Sequence, residues 1–283
     1  MPTFTDIHLI AAGKYHDIDF ARLELLKLLA ETPELRTSVA MDFGDTERLA
    51  DCALLITYTC DLVPNATEVT ALTAFLDRGG RWLALHGTNS ILRFDDAGKV
   101  TTPDEAPGFM GLLGTRFTGH PPIAPFKVRI AREHQLTTGL RDFSTIDELY
   151  LCDVTADIEV LMDSRFEVGD CPDFACRDFA TIDELYLCEL TADIDVLMDS
   201  RFDGGECPDF ARGEFPPQDV PILYLRSIGA GAVLYCSLGH CRGHYDLRPL
   251  SNYWPHPQRC SWDYPVFREI LRRGIGWGVM RKD

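Results

Sequence analysis

Histidine and carboxylate are the residue types that move protons near neutral pH and bind divalent ions, and this chain places them at informative points. His86 ends the apolar run RWLALHG and His240 ends AVLYCSLGH. His120 lies in FTGHPP, in a turn ahead of a further apolar stretch. Asp147-Glu148 precedes Tyr150 in a DELY tetrad that opens an apolar run, and Asp183-Glu184 precedes Tyr186 in a second copy of it. A carboxylate entering an apolar run can serve as a general base or a metal ligand once buried. His86, His240, Glu148, Glu184, Tyr150 and Tyr186 are therefore the candidate catalytic residues. His86, His120 and His240 are the candidate donors to a divalent metal such as zinc.

Cys236, His240, Cys241 and His244 fall within nine residues, a density that also fits zinc. Neighbouring side chains on a strand point to opposite faces. His240 combined with donors from other loops is thus the better arrangement.

The elements that must carry these residues alternate. Asp6–Gly13 reads as a strand, Asp19–Glu31 as a helix with Phe20, Leu23, Leu26 and Leu29 in phase, and Thr37–Phe43 as a strand. Cys52–Thr59 is a continuous apolar run of the kind found in a buried parallel strand. Asn65 with Glu68 is a capping-box pattern, starting a helix that ends at Gly79-Gly80. Trp82–Leu85 is the next strand, and Phe126–Ala131 a later one. Pro221–Arg226 and Ala232–Ser237 read as a hairpin, and Pro265–Met280 as a closing helix.

Strand, helix and strand in alternation predict an α/β domain, with a parallel sheet covered by helices on both faces. In such sheets ligands bind beyond the carboxyl ends of the strands. That rule adds Gly13, His16, Thr59 and Gly87 to His120 as candidate ligand-binding residues.

Residues 141–176 and 177–212 form a tandem repeat of period 36, identical at 28 of 36 positions. Each copy offers two strand-like runs around a Thr-Ala-Asp turn. The surplus pair is expected as an extra hairpin, a sheet extension or a surface for homo-oligomer contact. Only one DELY element can fill any one position in the sheet. The repeat also concentrates the charge: the whole chain carries −17, of which 20 acidic and 5 basic residues in 141–212 contribute −15. That balance disfavours nucleic acid and anionic membranes as partners. The length of 283 is best read as one domain over 1–283 containing the repeat.

Ten cysteines without a secretory leader fit reduced thiols and a cytoplasmic protein. No GxGxxG follows the first strand, and GxxxxGK[ST], HExxH and GxSxG are absent. Standard nucleotide loops, zincin-type hydrolysis and a serine elbow lose support.

In this order, GGRWLALHG (79–87), GTRFTGHPP (114–122), HQLTTGLRDF with the following DELY (134–150), PILYLRSIGAGAVLYCSLGH (221–240) and the RGIGW of the closing helix resemble the ThuA-like, trehalose-utilisation family. The resemblance implies a flavodoxin-related, class I glutamine amidotransferase-like fold. It also implies a sheet-edge pocket with His86, His120, His240 and one DELY element, and a small-molecule sugar as ligand. True amidotransferases place a nucleophilic cysteine where this chain has His86-Gly87, so glutamine hydrolysis by Cys60 is not expected. Two functions follow as expectations. One is an enzyme acting on a disaccharide or keto-sugar, by histidine acid–base or metal chemistry. The other is a non-catalytic module that binds a sugar or a protein through the acidic repeat.

Overall fold

The computed structural model describes residues 4–153, 158–160, 188–190, 194–202, 205–207, 209–215, 217–248 and 250–280. In chain order the first half contains β1 (Thr5–Gly13), α1 (Ile18–Leu29), β2 (Leu35–Ala40), α2 (Thr46–Asp51), β3 (Leu54–Cys60), α3 (Ala66–Asp77), β4 (Arg81–Leu85), β5 (Arg93–Phe94), β6 (Val100–Thr101), α4 (Pro107–Leu113), β7 (Thr115–Gly119), β8 (Ala124–Ile130) and β9 (Phe143–Asp147). The repeat supplies β10 (Leu151–Asp153), β11 (Ile158–Val160), β12 (Cys188–Leu190), β13 (Ile194–Phe202) and β14 (Gly205–Cys207). Then come β15 (Gly213–Phe215), β16 (Gln218–Ile228), β17 (Gly231–Cys236) and α5 (Pro265–Val279).

The main sheet runs β2-β1-β3-β4-β17-β16-β13-β8-β9. Its first five strands are parallel. From β17 onward each neighbour is antiparallel, starting with the expected hairpin β16–β17. The sheet is therefore mixed, with the parallel half carrying the helices. Alternation along β4 shows how the layers form. Leu83 and Leu85 join the core beneath α1 and α5, while Trp82 and Ala84 join the core beneath α2, α3 and α4. Helix starts follow local chemistry: the Asp17 side chain caps α1, Asp45 caps α2, and Asn65 with Glu68 closes the expected capping box on α3. Among the described residues no helix is long and apolar enough to cross a membrane.

Where both copies are described, their equivalent strands pair with each other. β10 pairs in parallel with β12, placing Cys152 opposite Cys188, and β11 pairs in parallel with β13, placing Ile158 opposite Ile194. Each residue thus faces its own equivalent 36 positions on. β10 and β12 also meet β7 in one register, with Phe117 opposite both Cys152 and Cys188. Copy one carries Glu148 and Tyr150 at the start of β10, whereas copy two supplies β13, the strand between β16 and β8. Among the described residues β11, from copy one, lies off the main strand order beside β13, and β12, from copy two, pairs with β10 and β7.

A chain lacking residues 177–212 (283 − 36 = 247) keeps one sequence for every one of these strand positions, with IEVLMDSRF of copy one in place of IDVLMDSRF of β13. It is expected to fold, to melt cooperatively and to keep the metal-binding capacity of the full chain. Thermal melting by circular dichroism, with ion content measured in parallel, checks this. A molten or aggregated product would show that both copies are required.

Candidate metal centre

The carboxyl ends of β1, β3, β4 and β17 meet the β9–β10 link at one buried point. Among the described residues, three of the four non-glycine residues with positive φ stand just past these strand ends: Tyr15 at 66°, Asp61 at 52° and His86 at 47°. Non-glycine residues adopt this conformation at a cost of about 1–3 kcal/mol, and such strain clusters at functional sites. At His86 it makes a sharp turn from β4 into a short helical turn, His86–Asn89. The tightness also explains Gly87, since a Cβ there would stand 2.8 Å from both the Cys60 Cβ and the Thr59 carbonyl oxygen.

His16, His86, His240 and Glu148 each present a donor atom within 4.8 Å of all the others, and all four residues are buried. His86 Nε2 lies 2.9 Å from His16 Nε2 and 3.3 Å from a Glu148 carboxylate oxygen. His240 Nδ1 is 2.8 Å from the other Glu148 oxygen. His120 stands behind the carboxylate, with Nε2 3.5 Å from it. The Tyr150 hydroxyl is 2.9 Å from His86 Nε2.

The opposite ring nitrogens all have oxygen partners. His86 Nδ1 is 2.8 Å from the Ser237 carbonyl, His16 Nδ1 3.2 Å from that of Lys14, and His120 Nδ1 3.1 Å from that of Pro121. His240 Nε2 is 2.9 Å from the Gln258 side-chain oxygen. A neutral imidazole that donates outward presents a lone pair inward. Burial pushes all four imidazoles well below their usual value. Neighbouring histidines and the Arg242 guanidinium, itself buried, push them further in the same direction. The result is a set of neutral nitrogen lone pairs converging on one carboxylate, which could hold a metal ion.

Asp147 builds the frame around this set. One of its oxygens accepts from the backbone N–H of Glu148 (2.7 Å) and of His240 (3.1 Å), and the other from those of Gly239 (2.9 Å) and Ser261 (3.3 Å). A single buried carboxylate therefore sets the backbone of two candidate donors. Burial pushes Asp147 up to about 6, against the pull of the Ser261 hydroxyl and these N–H groups. The Gly239 carbonyl is held in turn by the Tyr58 hydroxyl and the Trp262 indole N–H. Asp147→Asn puts an amide donor against backbone donors and is expected to lower divalent-ion affinity about 10- to 100-fold, the usual scale for a supporting group behind a metal ligand. Competition with a chromophoric chelator measures it, and wild-type affinity would deny Asp147 this part.

The sequence-predicted residues divide clearly. His86, His240, Glu148, Tyr150, His16 and His120 are brought together. Gly87 follows His86 directly and packs against Thr59 and Cys60, and Gly13 packs its backbone against Cys60. Glu184 and Tyr186 lie outside the described residues. Cys236 and Cys241 are not among the converging donors. Burial pushes the Cys236 thiol up to about 12 and the Cys241 thiol higher still, and Cys241 faces the Tyr58 hydroxyl at 3.1 Å. His244 stacks on Tyr253 with ring centroids 5.1 Å apart. Sequence reasoning missed Gln258, Arg242 and Ser261, which sit in polar loops without periodic signal. Only the adjacency of Arg242 to the His240 strand end hinted at a place near the site.

Comparison with known proteins identifies the family. The profile of the family described as "ThuA: Trehalose utilisation" matches residues 11–251, a span that contains every residue of the cluster. The chain belongs to the ThuA family. Among solved structures, a ThuA-like protein from Bacteroides uniformis aligns over 100% of this chain and 95% of its own, with 15% identity and a TM-score of 0.57. A ThuA-like protein from Parabacteroides merdae aligns over 99% and 93%, with 12% identity and a TM-score of 0.54. At these identities the structural likeness speaks for the fold, which is the expected α/β ThuA-like fold. Comparison with curated proteins finds no match. The family's description suggests a role in trehalose utilisation.

Proposed function

We propose that this ThuA protein is a divalent-metal enzyme of sugar utilisation, acting on a disaccharide or a keto-sugar derived from it. The carrying observation is the convergence of His16, His86, His240 and Glu148 on one point, each imidazole anchored outward by an oxygen. Donors sharing one ion at bond lengths of about 2.0–2.2 Å stand roughly 3–3.5 Å apart. The closest approaches in this set, 2.8, 2.9 and 3.3 Å, are near that spacing. An imidazole-rich set with one carboxylate suits zinc and its first-row neighbours.

When bound, such an ion would polarise a sugar carbonyl or hydroxyl oxygen. The chain's own groups handle the proton. Neutral His120, beside the Glu148 carboxylate, is placed to accept one, and the Tyr150 hydroxyl is placed to donate one. A carbonyl-bearing sugar is the better substrate class, because it exposes both the polarisable oxygen and an acidic neighbouring C–H.

The test is turnover. The full chain is incubated with trehalose and with trehalose oxidised to a ring ketone, and products are followed by NMR. Conversion of the ketone that disappears on chelation and returns with added zinc supports the reading. A bound ion with no conversion of either sugar would favour a structural ion, in keeping with the complete enclosure of the donors.

A further inference from the structure

The sheet order places β1 between β2 and β3. The chain leaves β1 through α1 toward β2, then returns through α2 to β3 on the other side. α1 packs into one core and α2 into the other, so the two connections lie on opposite faces. The carboxyl ends of β1 and β3 are thus the topological switch point, where a crevice opens in sheets of this kind. A cleft of about 560 Å³ lies there, with Lys14 and Tyr15 past β1, Asp61 and Val63 past β3, and Arg93 and Phe94 on β5 among its walls. Its volume falls within the usual range for small-molecule sites.

Two of these wall residues, Tyr15 and Asp61, are strained non-glycine residues. The strain at Tyr15 has a direct consequence: the next residue, His16, reaches 2.9 Å from His86 in the metal centre. Tyr15 is nearly buried and stands edge-on to the half-exposed Phe94, with ring centroids 6.2 Å apart. The charged groups of the wall are paired. The Asp61 carboxylate accepts from Lys14 Nζ at 2.7 Å and Arg93 Nη1 at 2.9 Å, and Arg93 also pairs with Glu105. Both cations are already paired, Lys14 with Asp61 and Arg93 with Asp61 and with Glu105 outside the cleft's lining, which weakens their pull on a phosphate or carboxylate ligand. They do set fixed donors and acceptors beside an aromatic ring. Hydroxyl groups that both donate and accept, on a ring whose C–H face can lie against Phe94, match that wall.

We propose that the cleft at the β1–β3 switch point is a docking site for an uncharged polyhydroxylated ring, a mono- or disaccharide, next to the His–Glu centre. The assignment of the ring as a substrate rests on the metal-enzyme reading. Binding in the cleft does not, and the two are measured apart.

The experiment is calorimetric titration of the full chain with trehalose and, separately, with inorganic phosphate, with ion content determined on every sample. Wild type is expected to bind trehalose and not phosphate. Phe94→Ala, at a half-exposed position that leaves the core untouched, is expected to weaken trehalose about tenfold or more, with ion content and melting temperature unchanged. Asp61→Asn is expected to weaken it similarly. Failure of wild type to bind trehalose, phosphate binding in its place, or undiminished trehalose affinity in Phe94→Ala would each overturn the cleft assignment. Trehalose binding that depends on Phe94 in a chain that takes up no metal would keep the cleft and overturn the metal reading alone.

Discussion

Glu148→Gln lowers divalent-ion affinity by about a hundredfold or more, some 2.7 kcal/mol, while the protein stays folded. The carboxylate is the only anionic donor in the set, lying within 3.5 Å of His86, His120 and His240. Glutamine keeps the volume and one acceptor oxygen, so packing is preserved. It removes the charge that balances a dication in a dry site, where electrostatics are least screened. Replacing a group that only supports a ligand typically costs 10- to 100-fold, and losing the charged donor itself costs more. The repeat makes this prediction sharper. Residues 145–152 and 181–188 both read TIDELYLC, yet copy one supplies the carboxylate at the centre. Glu184→Gln is therefore expected to leave ion affinity at the wild-type value. Equal loss in both variants, or loss in Glu184→Gln alone, would contradict the assignment to copy one. Equilibrium dialysis with metal analysis reads all three proteins.

Gly13→Ala is the substitution expected to damage the fold most. Gly13 has φ of 115°, in the range L-residues rarely adopt. A Cβ built there would lie 2.0 Å from the Cys60 carbonyl oxygen, 2.8 Å from its nitrogen and 3.0 Å from its carbonyl carbon. The obstacle is backbone, part of the β1–β3 register that pairs Gly13 with Cys60, so no side chain can swing aside. The conformational cost is about 1–3 kcal/mol and overpacking adds about 1–3 kcal/mol. Together they make roughly 2–6 kcal/mol, a large part of the 5–15 kcal/mol that holds a typical domain together. Denaturant unfolding is expected to show a midpoint shift of that size, or no folded protein. Wild-type stability would mean that the two strand ends are not this close. Gly13 thus acts through its missing Cβ, at the step that turns the chain toward His16.

How much of this was legible in the sequence depends on which physics was local. Capping at Asn65, the stop at Gly79-Gly80, the apolar run of β3 and the hairpin of β16 and β17 are set by near neighbours, and periodicity and turn chemistry reveal them. His86 and His240 were visible because a strand end delivers them, and the rule about carboxyl edges holds whatever the strand order. The ranking of the histidines was not legible. His16 joins the converging donors and His120 stands behind Glu148 because β1 lies two strands from β4, a fact of sheet order. Asp147 reads in sequence as half of an acidic pair. Its contacts are backbone N–H groups 92, 93 and 114 residues away, and no pattern of side-chain types marks them. β7 was hidden inside what reads as a turn, and α2 and α4 are too short to show much periodicity. The repeat was plain in the sequence, but which copy enters the sheet and which reaches the centre depends on pairing with β7 and β16.

The three imidazoles of His16, His86 and His240 and the Glu148 carboxylate are expected to bind one divalent ion. Buried thiols, those of Cys60, Cys236 and Cys241, also lie along the same strand ends. The most direct measurement is X-ray absorption fine structure at the metal edge of the full chain, loaded with one equivalent of zinc and dialysed. One retained ion per chain is expected, with only nitrogen and oxygen neighbours at about 2.0–2.2 Å, and with the outer-shell scattering of imidazole rings. Sulfur neighbours at about 2.3 Å, or zinc that washes out of the folded protein, would contradict it.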